Sequence, residues 1–116
     1  MTRRSVTSEL ARFDIVVVPF PFSEAAGSKR RPALVLSSTA FNSAGHTVLA
    51  MITTSGHRPW PGDCAVTDIQ SAGLPRPCIV RLKLFTLDNR IILRRIGRLA
   101  KRDIARVKAA LDTHLA

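Results

Sequence analysis

The chain has 116 residues, which suits one domain with a modest core and excludes a cleft between two domains. Its 18 lysines and arginines against 8 acidic residues give a net charge of +10, which favours an anionic partner such as nucleic acid. The apolar runs are too short to span a bilayer, so a cytoplasmic protein without a membrane partner is expected. Cys64 and Cys78 lack CxxC spacing and a nearby histidine, so free thiols and no metal or cofactor are predicted.

The first half of the chain predicts three strands. Residues 1–12 are polar and without periodicity, so a flexible lead-in is expected before a single folded domain over 13–116. The segment Phe13–Phe22 is β-branched and aromatic, and its two prolines place the end of this strand at a sheet edge or a loop. Ser23–Arg31 is small, polar and basic, which predicts an exposed, mobile loop. The runs PALVLSS and TVLAMITT predict central strands, separated by the turn formers of TAFNSAGH.

The second half predicts shorter strands. Ser55–Asp63 is rich in glycine and proline and predicts a second loop, and Cys64–Ile69 predicts a short strand. Ile79–Phe85 alternates between an apolar face and a largely basic face. The apolar face is expected to hold Val80, Leu82 and Leu84. The run RIILRRIGRL changes its alternating phase around Arg94, as a bulge or sharp bend would require.

An amphipathic helix is predicted at the C-terminal end, over residues 101–115. Its apolar residues recur at spacings of three and four: Ile104, Val107, Leu111 and Leu115. The predicted fold class is therefore mainly β (α+β), with a small, strongly bent, barrel-like sheet of about five to seven short strands beside one helix.

The sequence offers few groups for catalysis, since it contains no glycine-rich phosphate loop, nucleophile elbow or HExxH motif. Arginines and hydroxyls remain, and these suit the cleavage of RNA by its own 2′-hydroxyl. A protein then needs to align the 2′-oxygen, stabilise charge on phosphorus and assist proton transfer. Arginine's planar fork matches two phosphate oxygens, and a Thr or Ser hydroxyl can donate to a third.

Four segments in order resemble the MazF/PemK family of type II toxin–antitoxin ribonucleases. They are FDIVVVPFPFSEAAGSKRRPALVLS, VLAMITTS, HRPWPGD and AGLPRPCIVRLKLFTLDNRIILRRIGRL. The resemblance implies an SH3-like barrel that forms a homodimer and cuts single-stranded mRNA at short sequence motifs without metal. It also implies 2′,3′-cyclic phosphate and 5′-hydroxyl products, and an acidic antitoxin whose disordered tail occupies the RNA groove. In the complex with antitoxin, such toxins take part in DNA binding.

The resemblance also implies catalytic residues. The family's catalytic arginine precedes the proline of the second strand, which here is Arg31, and its hydroxyl partner in the "IT" pattern is Thr53. Thr54 or Ser55 can take that place if the strand end is shifted. His57 is the histidine best placed to exchange protons, because its loop begins where Thr53 ends, although a polar loop histidine is the simpler interpretation.

Several basic residues and one aromatic residue are candidates for binding RNA. Lys29 and Arg30 adjoin Arg31, and Trp60 beside Arg58 has the composition of a base-stacking site. Arg81 and Lys83 share the basic face of their strand. Each has a simpler alternative: solvated loop charges, a tryptophan capping the core, and a solvated strand face.

Two other functions fit the same composition. A small basic barrel can hold nucleic acid without cutting it, and related barrel toxins poison DNA gyrase through a terminal helix. The pairing of Arg31 with Thr53 at neighbouring strand ends favours cleavage, because charge alone would not require it.

Overall fold

One curled antiparallel sheet carries most of the chain. The structure is a computed structural model that describes residues 9–21, 27, 29–54 and 58–115. Within them, six strands are ordered β4-β5-β3-β2-β1-β6 in the sheet. The strands are β1 (Asp14–Phe20), β2 (Lys29–Val35), β3 (His46–Thr54), β4 (Cys64–Ala65), β5 (Cys78–Asp88) and β6 (Arg94–Arg98). The helices are α1 (Thr39–Asn42), a 3-10 turn (Asn89–Ile91) and α2 (Lys101–Leu115). This confirms the predicted mainly β class with a terminal helix.

Both faces of the sheet are packed, because successive residues along a strand point to opposite sides. On one side, the helix-side core contains Ile15, Leu34, Ala50, Val80 and Val107 of α2. On the other side, the second core contains Leu10, Val16, Val18, Leu49 and Leu87. The unbroken apolar run of β1 therefore serves two cores at once.

The start of the folded part differs from the prediction. Leu10 is fully buried in the second core, and the backbone N–H of Ala11 donates to the carboxylate of Asp14 at 2.8 Å. A flexible lead-in up to residue 12 is thus wrong for Leu10–Arg12, which the burial of Leu10 holds in place. Residues 1–8 lie outside the described part.

The predicted loop Ser23–Arg31 is too long at its C-terminal end. Lys29, Arg30 and Arg31 belong to β2, because β1 continues to Phe20 and supplies pairing partners for all three. The turn segment TAFNSAGH contains α1, which Ser38 caps by accepting a hydrogen bond from Phe41 N–H at 3.2 Å.

The strand β5 contains a bulge that the alternating sequence does not reveal. Its register with β3 changes from Ala50↔Leu84 to Met51↔Arg81, which leaves two extra residues in β5. Leu84 lies opposite the buried Ala50 but is itself 42% exposed, while Phe85 packs against the second core. The predicted placement of Leu84 in the core is therefore wrong.

The helix α2 spans the predicted 101–115, and Val107 is its deepest apolar residue. Leu115 is 52% exposed, contrary to prediction, because the helix-side core ends at Leu111. β4 is also shorter than predicted: the backbone N–H groups of Thr67 and Asp68 donate to Asp103 of α2 instead of to another strand.

The connection between β4 and β5 is fixed to β6 by backbone contact. Gly73 has φ of +72°, and a Cβ added there would overlap the carbonyl oxygen of Ile96. A Cβ on Gly97 would likewise overlap the backbone of Ala72. Arg98 N–H donates to the Ser71 carbonyl at 3.0 Å, so this turn lies directly against the edge strand.

Among the described residues, no helix is both long and apolar enough to cross a membrane.

Candidate active site and nucleic-acid interface

An opening between β2 and β3 carries the two residues expected to act on phosphate. The strands pair from Val35↔Leu49 to Ala33↔Met51, where their ladder ends. Continued by two residues, the same register sets Arg31 opposite Thr53, and directly opposed residues share one face of an antiparallel pair. Arg31 and Thr53 therefore occupy positions of the same face, beyond the point where the β2–β3 pairs end.

Arg31 is held from the β1 side. Its backbone lies opposite Val18, and its guanidinium lies over the ring of Phe20 at 5.6 Å from the centroid. Such a cation–π contact restrains a charged side chain without neutralising it. Arg31 is exposed and has no carboxylate partner among the residues that the structure describes.

Two cavities meet at Arg31. The smaller one is lined by Val18, Phe20, Arg31, Pro32, Met51, Ile52 and Phe85. The larger one, which we call the β6 groove, has a volume of about 350 Å³. It is lined by Arg30, Arg31, Arg94, Leu74, Pro75 and Ile96, with Val17, Pro32 and Gly73 completing its wall.

Arg94 and Leu74 were not identified from the sequence as candidate site residues. Arg94 reaches the groove because β6 pairs with β1. Arg94 lies opposite Val17, and Arg30 lies opposite Pro19, two residues further along β1. Alternate positions of a strand share a face, so the two arginines lie on one side. The phase change in RIILRRIGRL was the available signal, but it did not say which strand β6 would join.

Other arginines of the chain are bound to carboxylates. Arg95 and Arg98 contact the buried Asp14, and Arg106 contacts the buried Asp103. These arginines compensate carboxylates that would otherwise be costly to bury. The cations that line the β6 groove have no such partner within the described part of the chain.

Arg81 is directed into the protein rather than toward an open basic face. Its guanidinium donates to both carboxylate oxygens of Asp63, at 3.1 and 2.9 Å, and to the Arg58 carbonyl at 2.8 Å. Only 11% of its side chain is exposed. The hydrogen bond from Arg81 lowers the pKa of Asp63, which fixes the ion pair at neutral pH. Arg81 thereby anchors the loop that follows β3.

Trp60 is displayed on that anchored loop. Its side chain is 40% exposed, so it does not cap the core, and the Lys83 ammonium lies 4.5 Å from its ring centroid. The N–H of Trp60 donates to Asp63 at 2.9 Å. The β5 bulge contains Lys83, so the bulge and the ion pair together place a cation against an exposed indole.

Comparison with known proteins identifies the chain's relatives. Residues 11–115 match the model of the PemK-like, MazF-like toxins of type II toxin–antitoxin systems. The chain belongs to the PemK/MazF toxin family. A comparison with curated protein sequences found no match.

Solved MazF structures have the same fold. A MazE–MazF structure from Deinococcus radiodurans has a TM-score of 0.71 at 23% identity, covering 92% of this chain and 96% of that one. The Mycobacterium tuberculosis toxin MazF-mt6 has a TM-score of 0.69 at 22% identity, covering 86% and 93%. A mycobacterial endoribonuclease in complex with its cognate antitoxin has a TM-score of 0.67 at 19% identity, covering 90% and 91%.

The candidate residues identified from the sequence are divided between these places. Those at the β2–β3 opening and the β6 groove are Arg30, Arg31 and Thr53. Those on or beside the Trp60 loop are Arg58, Trp60, Arg81 and Lys83. Lys29 and Thr54 are exposed at strand ends, opposite Phe20 and Cys78 respectively. Ser55 and His57 lie outside the described residues. Within those residues, no group of three or more His, Cys, Asp or Glu is arranged to hold a metal ion.

Proposed function

We propose that this protein is an endoribonuclease toxin that cuts single-stranded mRNA at a short sequence without a metal ion. The observation that carries this proposal is the end of the β2–β3 ladder at Ala33↔Met51, since Arg31 and Thr53 each lie two residues beyond that pair on neighbouring strands. Family membership supports it, because a MazF-like toxin with these two residue types at this position has what transesterification of RNA requires.

In the proposed reaction, the substrate's own 2′-oxygen attacks the adjacent phosphorus while the bond from phosphorus to the 5′-oxygen breaks. The products are a 2′,3′-cyclic phosphate and a 5′-hydroxyl. One proton leaves the 2′-hydroxyl for a base, and one reaches the departing 5′-oxygen. Arginine cannot accept the first proton at neutral pH, so we assign that step to another group, and His57 is our candidate.

Arg31 has the role of stabilising charge in the transition state. Its guanidinium can donate two parallel hydrogen bonds to the non-bridging oxygens, whose charge grows as the fifth bond to phosphorus forms. The contact with Phe20 limits the positions that the side chain samples before substrate binds. Thr53 is half-buried, so its hydroxyl is better positioned than that of the exposed Thr54 to donate to the same phosphate group.

The proposal includes the setting that the family implies. The protein acts in the cytoplasm as a homodimer, with RNA near the boundary between subunits. An acidic antitoxin tail complements its charge of +10 and competes with RNA for the arginines. Lys29, Arg30, Arg58, Trp60 and Lys83 then contact the RNA beyond the scissile phosphate.

The test is cleavage of mixed-sequence single-stranded RNA in excess EDTA, with the ends of the products mapped. We expect cyclic phosphate ends, and a loss of about 100-fold or more in rate for Arg31→Ala, the usual cost of removing one charge-stabilising donor. Arg90→Ala is the matched control, because it removes the same charge from a side chain that is 90% exposed near the opposite end of β5. Its rate should stay within twofold.

Three outcomes would contradict the proposal. If RNA stays intact but binds in a salt-sensitive complex, the protein is a nucleic-acid-binding barrel and not a nuclease. If Arg31→Ala and Arg90→Ala cleave equally well, the opening between β2 and β3 is not the active site. Loss of cleavage in EDTA that added Mg²⁺ restores would show that a metal takes part.

A further inference from the structure

We propose that the β6 groove binds one nucleotide of the substrate, its base against Leu74 and Pro75 and its phosphate against Arg30 and Arg94. This inference rests on the proposed function, because it assigns the groove beside Arg31 to the RNA that Arg31 acts on. It goes further by placing base selection in a segment between β4 and β5.

The charge of the groove defines the class of ligand. Arg30 and Arg94 lie on its face of the sheet and Arg31 lines its edge, and among the described residues none of them is paired with a carboxylate. Other arginines, such as Arg95 and Arg98 on the same strand β6, are bound to Asp14. The strand therefore holds one cation available for a ligand and two that serve the fold. Unpaired guanidinium groups around a cavity favour a phosphate.

The apolar wall of the groove defines what accompanies the phosphate. Leu74, Pro75, Ile96 and Val17 line it, and the volume of about 350 Å³ lies within the range of about 300–1,000 Å³ typical of small-ligand sites. A free phosphate would leave the exposed Pro75 and the half-buried Ile96 in contact with water. A flat base covers them, and the guanidinium planes offer it a further stacking surface.

The groove is also preorganised on the side where it would read a base. The Gly73 backbone touches Ile96 of β6, and the turn is tied by Arg98 N–H to Ser71 and by Leu74 N–H to the Ile69 carbonyl at 2.9 Å. A wall fixed through main-chain contacts keeps one width, and a site of constant width discriminates between purine and pyrimidine by size.

Arg31 connects this groove to the reaction. It lines both cavities, while its guanidinium lies over Phe20 on the face of β2 opposite Arg30, so a nucleotide in the β6 groove adjoins the scissile phosphate held on that other face. Correct seating of the base would then align the phosphate, while a base that does not fit would displace it.

The first experiment measures binding without any cleavage. The full chain labelled with ¹⁵N is titrated with AMP, GMP, CMP and UMP, and backbone amide shifts are followed by NMR. We expect one base type to bind best, with shifts concentrated at Gly73, Leu74 and Ile96. Arg94→Ala should weaken that binding about tenfold, the effect of one charge-assisted hydrogen bond. Arg76→Ala is the matched control, since it removes the same charge one residue beyond Pro75 without lining the groove, and it should change binding less than twofold.

The second experiment sequences the cleavage sites in a randomised RNA. Arg94→Ala should relax the base preference at one position beside the cut, and Arg76→Ala should leave it unchanged. Inorganic phosphate is the competitor: if it causes the same shifts as every mononucleotide, the groove is an anion site only and the proposal is overturned.

The two proposals fail separately. Arg31-dependent cleavage with no mononucleotide shifts in the groove, and with the same sequence preference in Arg94→Ala, would overturn the nucleotide site and leave the nuclease intact. Arg94-dependent mononucleotide binding without cleavage of any RNA would uphold the site and overturn the nuclease.

Discussion

Replacing Asp103 with alanine should loosen α2 from the sheet. Its carboxylate is 2% exposed and accepts hydrogen bonds from the N–H and hydroxyl of Thr67, at 3.1 and 2.8 Å, and from Asp68 N–H at 3.1 Å. Alanine would leave these donors without a partner beside the core, at about 1–3 kcal/mol for each group that water does not reach. We expect a loss of about 3 kcal/mol in the free energy of unfolding.

Urea denaturation followed by circular dichroism measures this loss. With a typical m-value of about 1.5 kcal/mol per molar urea, the midpoint should fall by about 2 M. Asp112→Ala removes the same charge from an exposed position of α2 and should move the midpoint by less than about 0.3 M. Equal midpoints for the two variants would refute the idea that Asp103 fastens the helix.

The difference should also depend on pH with a defined sign. Burial raises the pKa of Asp103, but the hydrogen bonds from Thr67 and Asp68 outweigh it, so the pKa is lowered overall. A lowered pKa contributes stability that is fully present above the ordinary value of 3.8 and is lost as the pH falls through the folded-state value. The difference in the free energy of unfolding between the wild-type protein and Asp103→Ala should therefore become smaller below about pH 4.

Two further predictions concern the loop after β3 and the thiols. Arg81→Ala should release the Trp60 loop, because Asp63 loses both hydrogen bonds from the guanidinium; the fluorescence of the single tryptophan should shift to the red and become easier to quench with acrylamide. An unchanged emission maximum would show that the loop is held by other contacts. Burial raises the pKa of Cys64 and of Cys78, so both thiols of the native protein should react with Ellman's reagent at pH 8 roughly a hundredfold more slowly than in urea. Prompt reaction of either thiol without urea would contradict their burial.

The helix and the central strands could be predicted because their signals are local. Spacings of three and four from Ile104 to Leu111 set the bounds of α2, and the apolar runs within β1, β2 and β3 are long enough to indicate buried strands. The order in which these strands pair could not be predicted in the same way, because it depends on contacts between residues far apart in the sequence. β1 is buried along almost its whole length because it packs against a core on each face of the sheet. Its sequence alone does not show whether one core or two cover it.

The bulge of β5 could not be predicted, since alternation in the sequence continues across it. Pairing with β3 leaves two extra residues of β5 between the partners of Ala50 and Met51, and Leu84 beside them is exposed. The position of such a bulge depends on the register between β5 and β3, and that register depends on how the whole sheet packs.

The candidate site was predictable where one motif carried it. Arg31 and Thr53 each follow from a short pattern beside a strand end, so resemblance alone pointed to them. Arg94 has no such pattern, because its place in the groove depends on β6 pairing with the start of the chain. Arg81 was misjudged for a related reason: an arginine on an alternating strand gives no sign of a carboxylate 18 positions earlier.

The meeting of main chains at Gly73 and Gly97 constrains how the protein can diversify. Neither position can accept a side chain while the turn stays against β6. Substitutions around the β6 groove are therefore tolerated at its rim, at Leu74, Pro75 and Arg94, but not at the two glycines that set the distance between its walls. The chemistry of the groove can therefore change through a few exchanges at its rim while the main-chain frame around it stays the same.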